Sequence, residues 1–235
     1  HRLRRSVLAS MDCIRRTIWS GKLIPVTLQL EPHSFNVKVR VPGQKFLAKT
    51  PTPTHEEFKR NSFWKNAAKE VYEAYSRVCA YTCRYIDVPN GSIDHFKSKS
   101  THPQQAYEWS NFRLCMHRVN GHKGASVDVI DPFAVLPGWF VLDFPSCLVK
   151  AGAGLDEQTR ERVEATIRAL KLNDDDTFVQ DRCDVMMMFA QGDVALGYLK
   201  KHRPFLAIEV ERQGIEHTAA TLFKTLGNTA AGAAA

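Results

Sequence analysis

The spacing of four polar residues in the middle of the chain constrains its structure and chemistry more than any other feature of the sequence. An adjacent pair, Asp94-His95, is followed after 16 residues by Asn111, and nine residues further on by Asn120. A carboxylate can hold a divalent cation and an imidazole can take a proton from water, which are two requirements of phosphodiester hydrolysis. Because side chains alternate along a strand, the pair suits the end of a strand, where the chain turns. The sequence therefore predicts a strand that ends near His95.

The composition is that of a globular chain with an excess of basic residues. Its 235 residues, 44% hydrophobic and 24% charged, suffice for one domain or for a small module with an added lobe. No run approaches the roughly 18 consecutive apolar residues of a membrane-spanning helix. The net charge of +7 and the pI of about 9.1 favour a polyanionic partner, although many basic proteins bind no nucleic acid.

The two ends of the chain carry little pattern. Residues 1–11 form a basic extension whose apolar run, Val7-Leu8-Ala9, is too short for a signal peptide. We therefore expect a cytoplasmic protein without a membrane partner. Residues 217–235 end in an alanine-rich, low-complexity run that buries too little to offset its ordering entropy, so we expect a disordered tail.

Residues 12–54 contain two runs in which apolar and polar residues alternate. These runs are 26–30 and 35–41, and Glu31-Pro32-His33-Ser34 lies between them as a turn. A period of two is typical of paired strands. The sequence therefore predicts a β-hairpin region here.

Helical patterns lie on both sides of the polar motif. Thr54 and Glu57 fit a capping box, and the helix that they start is predicted to run on to Tyr75. Residues 151–216 contain apolar residues at helical spacing, such as Val163 and Ile167. We therefore predict a helical C-terminal region.

The order of the motifs resembles that of the HNH, or ββα-metal, endonuclease family. The matching residues are the Asp-His pair, Asn111 with the apolar residue after it, and the Asn-x-x-Lys-Gly run that begins at Asn120. The resemblance implies an α+β fold in which residues 55–150 form a ββα-metal nuclease core. The β-hairpin region would precede this core, and the helical region would follow it.

The resemblance also implies a role for each residue of the motif. His95 would be the general base, and Asp94 would be a metal ligand. Asn111 would brace the loop that carries His95, and Asn120, on the following helix, would be the second protein ligand. Oxygen ligands of this kind suit Mg²⁺ or Mn²⁺ better than zinc. The basic residues that we expect to contact the phosphates of nucleic acid are Lys97, Lys99 and Lys123.

A closer similarity is to the HNH nucleases of bacterial anti-phage systems of the Septu and retron types. It covers about residues 58–135. The segments that carry it are Tyr72-Glu73-Ala74-Tyr75, Cys79-Ala80-Tyr81, residues 94–100, Glu108-Trp109-Ser110-Asn111 and Asp131-Pro132. The similarity implies DNA as the substrate, and an ATPase or another regulatory protein of a defence operon as a partner.

One departure from these relatives concerns a structural zinc. Many of them hold zinc with two Cys-x-x-Cys pairs, whereas here the first pair is stretched to Cys79-x-x-x-Cys83. The second pair is absent, and Met116 and Val119 stand in the places of its cysteines. Because a tetrahedral zinc needs four ligands at fixed reach, we expect no structural zinc. We predict instead that Tyr81, Met116 and Val119 pack as apolar residues.

Three functions stay open on the sequence. The leading one is DNA hydrolysis by an effector of anti-phage defence. The same scaffold could instead be a catalytically inactive module that binds nucleic acid or a partner protein, or a nuclease that cleaves RNA. An inactive relative is expected to lose Asp94, His95 and Asn120 before its packing residues, and all three are present.

Overall fold

The computed structural model describes residues 26–88 and 90–223, which form an α+β fold. The predicted basic extension and residues 224–235 of the predicted tail lie outside the described residues. The helices and strands are α1 (Val41–Lys49), α2 (His55–Arg60), α3 (Ala68–Ala74), β1 (Gly91–His95), β2 (Phe112–Met116), α4 (His117–Lys123), β3 (Phe140–Asp143), β4 (Leu148–Ala151), α5 (Glu157–Ala169), α6 (Asp176–Gln191), α7 (Leu196–His202) and α8 (Pro204–Gln213). A π-helical stretch at Asn36–Arg40 leads into α1, and short 3₁₀ helices lie at Phe63–Ala67, Pro103–Gln105, Trp109–Asn111 and Pro132–Ala134.

The predicted β-hairpin is wrong. Residues 26–32 have no regular structure, and residues 35–49 are helical. Phe35 and Val39 are buried, whereas Val37 between them is 74% exposed. The buried positions are therefore four residues apart, which is the spacing of a helix face rather than of a strand face. Burial of this pair in the core decides the conformation against the β propensity of the run.

The capping box at Thr54 is confirmed, but the helix that follows is shorter than predicted. The Thr54 hydroxyl accepts a hydrogen bond from the Glu57 amide at 3.3 Å, and the Glu57 carboxylate accepts one from the Thr54 amide at 2.8 Å. Helix α2 ends at Arg60. The side chain of the next residue, Asn61, donates to the Glu57 carbonyl at 2.9 Å and so competes with helical hydrogen bonding. The segment nevertheless packs on the core, because Phe58, Trp64, Ala67, Val71 and Tyr75 are buried.

The unit that positions the candidate site consists of β1, β2 and α4. Strands β1 and β2 pair antiparallel, with Gly91 opposite Met116 and His95 opposite Phe112. Helix α4 begins at His117, directly after β2. A strand therefore ends at His95, as the sequence predicts, and a helix packs beside the end of that strand.

Two hydrophobic cores meet at this unit. The first joins the N-terminal helices to β1 and β2, and Phe35 packs edge-on against Phe112 within it. The second joins α4, the β3–β4 hairpin and α5–α8, so the predicted helical C-terminal region is confirmed. Tyr81 and Met116 contact both cores, and Val119 is buried in the second. The predicted apolar packing of these three residues is therefore confirmed, while the domain limits at 54 and 150 stay predictions.

The prediction of a disordered tail is wrong for residues 219–223. Residues 219–223 are helical, and Ala219 and Phe223 are buried. The Phe223 ring lies edge-on to Phe144, with ring centroids 6.3 Å apart, and this contact anchors the chain before the low-complexity run. None of the described helices is both long and apolar enough to cross a membrane.

Replacing Gly43 tests how tightly α1 packs on the first core. A Cβ atom at this position would lie 2.1 Å from Cγ of Tyr107. We expect Gly43→Ala to lower the free energy of unfolding by about 2 kcal/mol or more, because the buried Tyr107 ring has to move. Gly197→Ala, in α7 with open space around the new methyl group, is the control and should raise stability by up to about 1 kcal/mol. Urea denaturation followed by circular dichroism measures both, and equal effects would contradict this packing.

Candidate active site

Asp94 and His95 lie on opposite faces of β1, as strand alternation requires. Asp94 stands opposite Arg113 of β2, and its side chain meets Lys123 of α4. The His95 ring lies instead against the Trp64 ring, edge-on, with centroids 4.8 Å apart. The sequence therefore delivers a carboxylate to the α4 side of the strand and an imidazole to the other side.

Both oxygens of the Asp94 carboxylate accept hydrogen bonds from protein side chains. Oδ1 accepts from Lys123 Nζ at 3.1 Å, and Oδ2 accepts from the Tyr81 hydroxyl at 2.5 Å. Burial, followed by the charge of Asp94, raises the pKa of Tyr81 well above its usual value, so the hydroxyl keeps the proton that it donates. Sequence reasoning treated Tyr81 as apolar packing only and missed this contact. The sequence offered one indication of a role for Tyr81, because the Cys-Ala-Tyr segment that contains it carries the similarity to the anti-phage nucleases.

Lys123 is buried, and its ammonium faces Asp94. The side chains of Lys123 and Asp94 are 1% and 4% exposed, and Lys123 Nζ also donates to the His95 carbonyl at 3.2 Å. The sequence predicts that Lys123 contacts a phosphate. In the structure its ammonium is an internal counter-ion of Asp94, so it would have to move before it reached a phosphate.

The His95 imidazole is held in one tautomer. Its Nε2 lies 2.9 Å from the Ala106 carbonyl oxygen, which can only accept, so Nε2 carries the proton and Nδ1 carries the lone pair. Burial, with a smaller effect from the positive charge of Lys99, lowers the pKa of His95 to about 3. The ring is therefore neutral at physiological pH. A neutral imidazole can take a proton from water through Nδ1, and burial makes this ring a weaker base than an exposed histidine.

Asn111 ties together the loop between β1 and β2. Its Oδ1 accepts from the Lys97 amide at 2.8 Å, and its Nδ2 donates to the carbonyl oxygens of Lys97 and Gln105, both at 3.0 Å. The Ala106 carbonyl that fixes His95 lies directly after Gln105. Asn111 thus braces the loop that orients His95, which is the geometry that its predicted role requires.

Asn120 lies on α4, one turn before Lys123, and faces the same side of β1 as Asp94. Its Nδ2 donates to the Ser92 hydroxyl at 3.0 Å, and Ser92 is two residues before Asp94 on the same strand face. Among the described residues, no hydrogen bond to its Oδ1 is present. A carboxylate and an amide oxygen therefore lie on the α4 side of β1.

The two lysines that follow β1 differ in their surroundings. Lys97 is exposed. Lys99 is partly buried over the Trp64 ring, with Nζ 5.4 Å from the ring centroid. Burial lowers the pKa of Lys99, and the nearby charge of Asp94 opposes this effect. The charge of Lys99, a residue predicted to contact phosphates, therefore interacts with both Asp94 and His95.

The donor atoms on the α4 side of β1 are of the kind that a hard divalent cation binds. The described residues contain no cluster of three or more His, Cys, Asp or Glu side chains that could hold a metal. A cation here would therefore be held by Asp94, by the Asn120 amide oxygen and by water, which is the chemistry that Mg²⁺ accepts. Lys123 Nζ already bonds Asp94 Oδ1, so it has to leave that oxygen before a cation can bind there.

The cysteines near the site are free thiols. Cys79 and Cys115 are buried, and Cys83 is partly buried. Burial raises the pKa of Cys83 and of Cys115, which favours the protonated thiol over the thiolate that binds zinc.

No protein-family model matches the chain, and no curated protein matches it either. The resemblance to HNH nucleases therefore rests on the motif residues alone.

The brace formed by Asn111 can be tested through stability. Asn111→Asp keeps Oδ1 but turns the donor toward the Lys97 and Gln105 carbonyls into an acceptor. We expect a loss of about 2–4 kcal/mol in the free energy of unfolding, together with faster hydrogen exchange at the Lys97 amide. Asn66→Asp removes one exposed side-chain bond to the Lys38 carbonyl and is the control, with an expected loss below about 1 kcal/mol. Similar losses in the two variants would rule out the brace.

Proposed function

We propose that this protein is a metal-dependent endonuclease of the HNH type that hydrolyses phosphodiester bonds of DNA. The observation that carries the proposal is the strand–strand–helix unit, in which a neutral imidazole ends β1 and a carboxylate and an amide oxygen face α4. The order of these elements is that of a ββα-metal core. His95 and Asn111 have contacts that suit the roles implied for them by the resemblance, whereas Lys123 bonds Asp94 in place of a phosphate.

In this proposal His95 is the general base. The hydrogen bond from Nε2 to the Ala106 carbonyl orients the ring and leaves Nδ1 to accept a proton from the attacking water. As the imidazole gains positive charge, the Ala106 carbonyl stabilises it. Asn111 has no part in the proton transfer and acts by fixing the loop that carries this carbonyl.

Asp94 and Asn120 would hold Mg²⁺ or Mn²⁺ between β1 and α4. When bound, such a cation polarises the scissile phosphate and stabilises the charge on the leaving oxygen. Lys99 supplies a partly desolvated positive charge near Asp94, and exposed Lys97 extends the basic surface toward the phosphates on either side. With a net charge of +7, the chain as a whole attracts a polyanion.

The setting of this activity comes from the resemblance alone. The similarity to nucleases of anti-phage systems supports a role as a defence effector, controlled by an ATPase or another regulatory protein of the same operon. A nuclease that degrades genomes needs such restraint. The Lys123–Asp94 ion pair would add restraint within the chain, since it occupies a ligand of the cation.

The same ion pair favours a second candidate function, a non-catalytic module that binds nucleic acid or a partner protein. A buried lysine can replace a cation at a carboxylate permanently, and the scaffold then keeps its shape without metal. The two candidates differ in whether Asp94 exchanges Lys123 for a metal ion.

Plasmid cleavage tests the proposed base. We expect nicking of supercoiled DNA with Mg²⁺ or Mn²⁺, none with EDTA, and a decrease of about 10²–10⁴-fold in rate for His95→Ala, because the base is lost. His102→Ala changes an exposed histidine of the same loop and should leave the rate unchanged. Thermal unfolding of both variants checks that they are folded. Nicking that survives His95→Ala in folded protein would remove His95 from the proposal, and no metal-dependent cleavage of DNA or RNA would favour the second candidate.

Lys123→Met tests whether the ammonium competes with the metal. Methionine keeps the length of the side chain but removes the charge that holds Asp94 Oδ1. We expect Mn²⁺ to bind at least about tenfold more tightly, equivalent to about 1.4 kcal/mol, while the cleavage rate falls if Lys123 also contacts the phosphate. Electron paramagnetic resonance of free Mn²⁺ measures the affinity. Lys97→Met, at an exposed lysine, is the control and should change it little. Unchanged or weaker Mn²⁺ binding by Lys123→Met would show that no competition occurs.

A further inference from the structure

A cavity of about 110 Å³ lies between the loop before β1 and the C-terminal core, and its wall includes Tyr81 but not Asp94. Apolar side chains from the β3 region and the C-terminal helices form most of its wall. They include Ile130, Leu136, Phe140, Leu170, Phe178 and Leu206. Leu136 is 57% exposed, so the cavity opens to the surface beside it.

One end of the cavity carries an excess of positive charge. Its wall contains three guanidinium groups, those of Arg84, Arg182 and Arg203, and a single carboxylate, that of Asp181. Arg84 and Arg203 share this carboxylate, at N–O distances of 3.2 and 2.7 Å. Two of the three positive charges are therefore left without an anionic partner in the cavity wall.

Arg182 shows the imbalance most clearly. The residue is only 9% exposed, and its hydrogen bonds go to neutral oxygens: the carbonyls of Cys147 at 2.6 Å and Leu172 at 2.9 Å, and the Asn173 amide at 3.4 Å. Among the described residues it makes no ion pair with a carboxylate. Burial lowers the pKa of Arg182 and of Arg84, because both charges are partly removed from water. Buried charges in proteins are normally paired, so this end of the cavity lacks an anion.

We propose that the cavity binds a small amphiphilic carboxylate, with its apolar body among the leucine and phenylalanine side chains and its head group at Arg182 and Arg84. A carboxylate matches the planar guanidinium fork better than a spherical anion does. The cavity volume of about 110 Å³ suits about four or five carbon atoms of that body, given that a dry cavity of roughly 150 Å³ takes benzene, and the rest of a longer chain would extend through the opening beside Leu136. The proposal is independent of the nuclease, since it uses neither Asp94 nor His95.

Isothermal titration calorimetry with octanoate and 1-octanol tests the proposal on the full chain. The two probes share an apolar chain and differ in charge. We expect octanoate to bind at least about tenfold more tightly than 1-octanol, because only octanoate supplies the anion. Failure of octanoate to bind, or equal affinity for the two probes, would overturn the proposal.

Three variants locate the binding. Arg84→Gln removes one guanidinium from a partly exposed position and should weaken octanoate about tenfold, without changing 1-octanol. Leu136→Trp narrows the opening and should weaken both probes. Arg182→Gln should abolish the preference for octanoate, and if it does not fold, the other two variants still decide. Arg118→Gln, at an exposed arginine paired with Asp175 outside the cavity, is the control. Losses in the control that match those in Arg84→Gln would show binding by general charge and would overturn the site.

Discussion

The buried ion pair between Lys123 and Asp94 is the interaction on which the site depends. Because neither side chain is more than 4% exposed, removing one partner would leave a charge in the protein interior, at a cost of about 3–5 kcal/mol. The second hydrogen bond of Lys123, to the His95 carbonyl, ties α4 to the end of β1. Tyr81 holds the other carboxylate oxygen. The position of Asp94 is thus fixed before any ligand binds, and a cation could reach Oδ1 only after Lys123 had left it.

The chemistry of His95 is arranged on the opposite face of the same strand. The ring is buried against Trp64, which keeps it neutral, and the Ala106 carbonyl selects the tautomer. Asn111 acts on neither face directly, but it holds the loop from Lys97 to Gln105 that leads to this carbonyl. Lys99, at the start of that loop, is electrostatically near both Asp94 and His95. The residues on both faces of β1 therefore depend on the same loop, and a change in the conformation of this loop would affect both Asp94 and His95.

The sequence predicted what depends on local chemistry and failed where packing decides. The capping box at Thr54 and the strand that ends at His95 follow from neighbouring residues, the helix at Asn120 was implied by the resemblance, and all three are present. The hairpin over residues 26–41 failed because alternation is a local pattern, whereas burial of Phe35 and Val39 depends on aromatic residues far along the chain. The ion pair of Lys123 was missed for the same reason. A lysine is ordinarily read as exposed, and only the packing of α4 on β1 places its ammonium on Asp94.

Tyr81 connects parts of the molecule that the sequence treats as separate. Its ring contacts both hydrophobic cores and forms part of the cavity wall, while its hydroxyl donates to Asp94. The C-terminal helices therefore contribute to the site indirectly, by packing against the ring whose hydroxyl fixes the carboxylate. A change in the second core that moved this ring would lengthen the bond to Asp94 Oδ2 without touching β1 or α4. The geometry of the carboxylate is for this reason a property of the whole fold rather than of the strand–strand–helix unit alone.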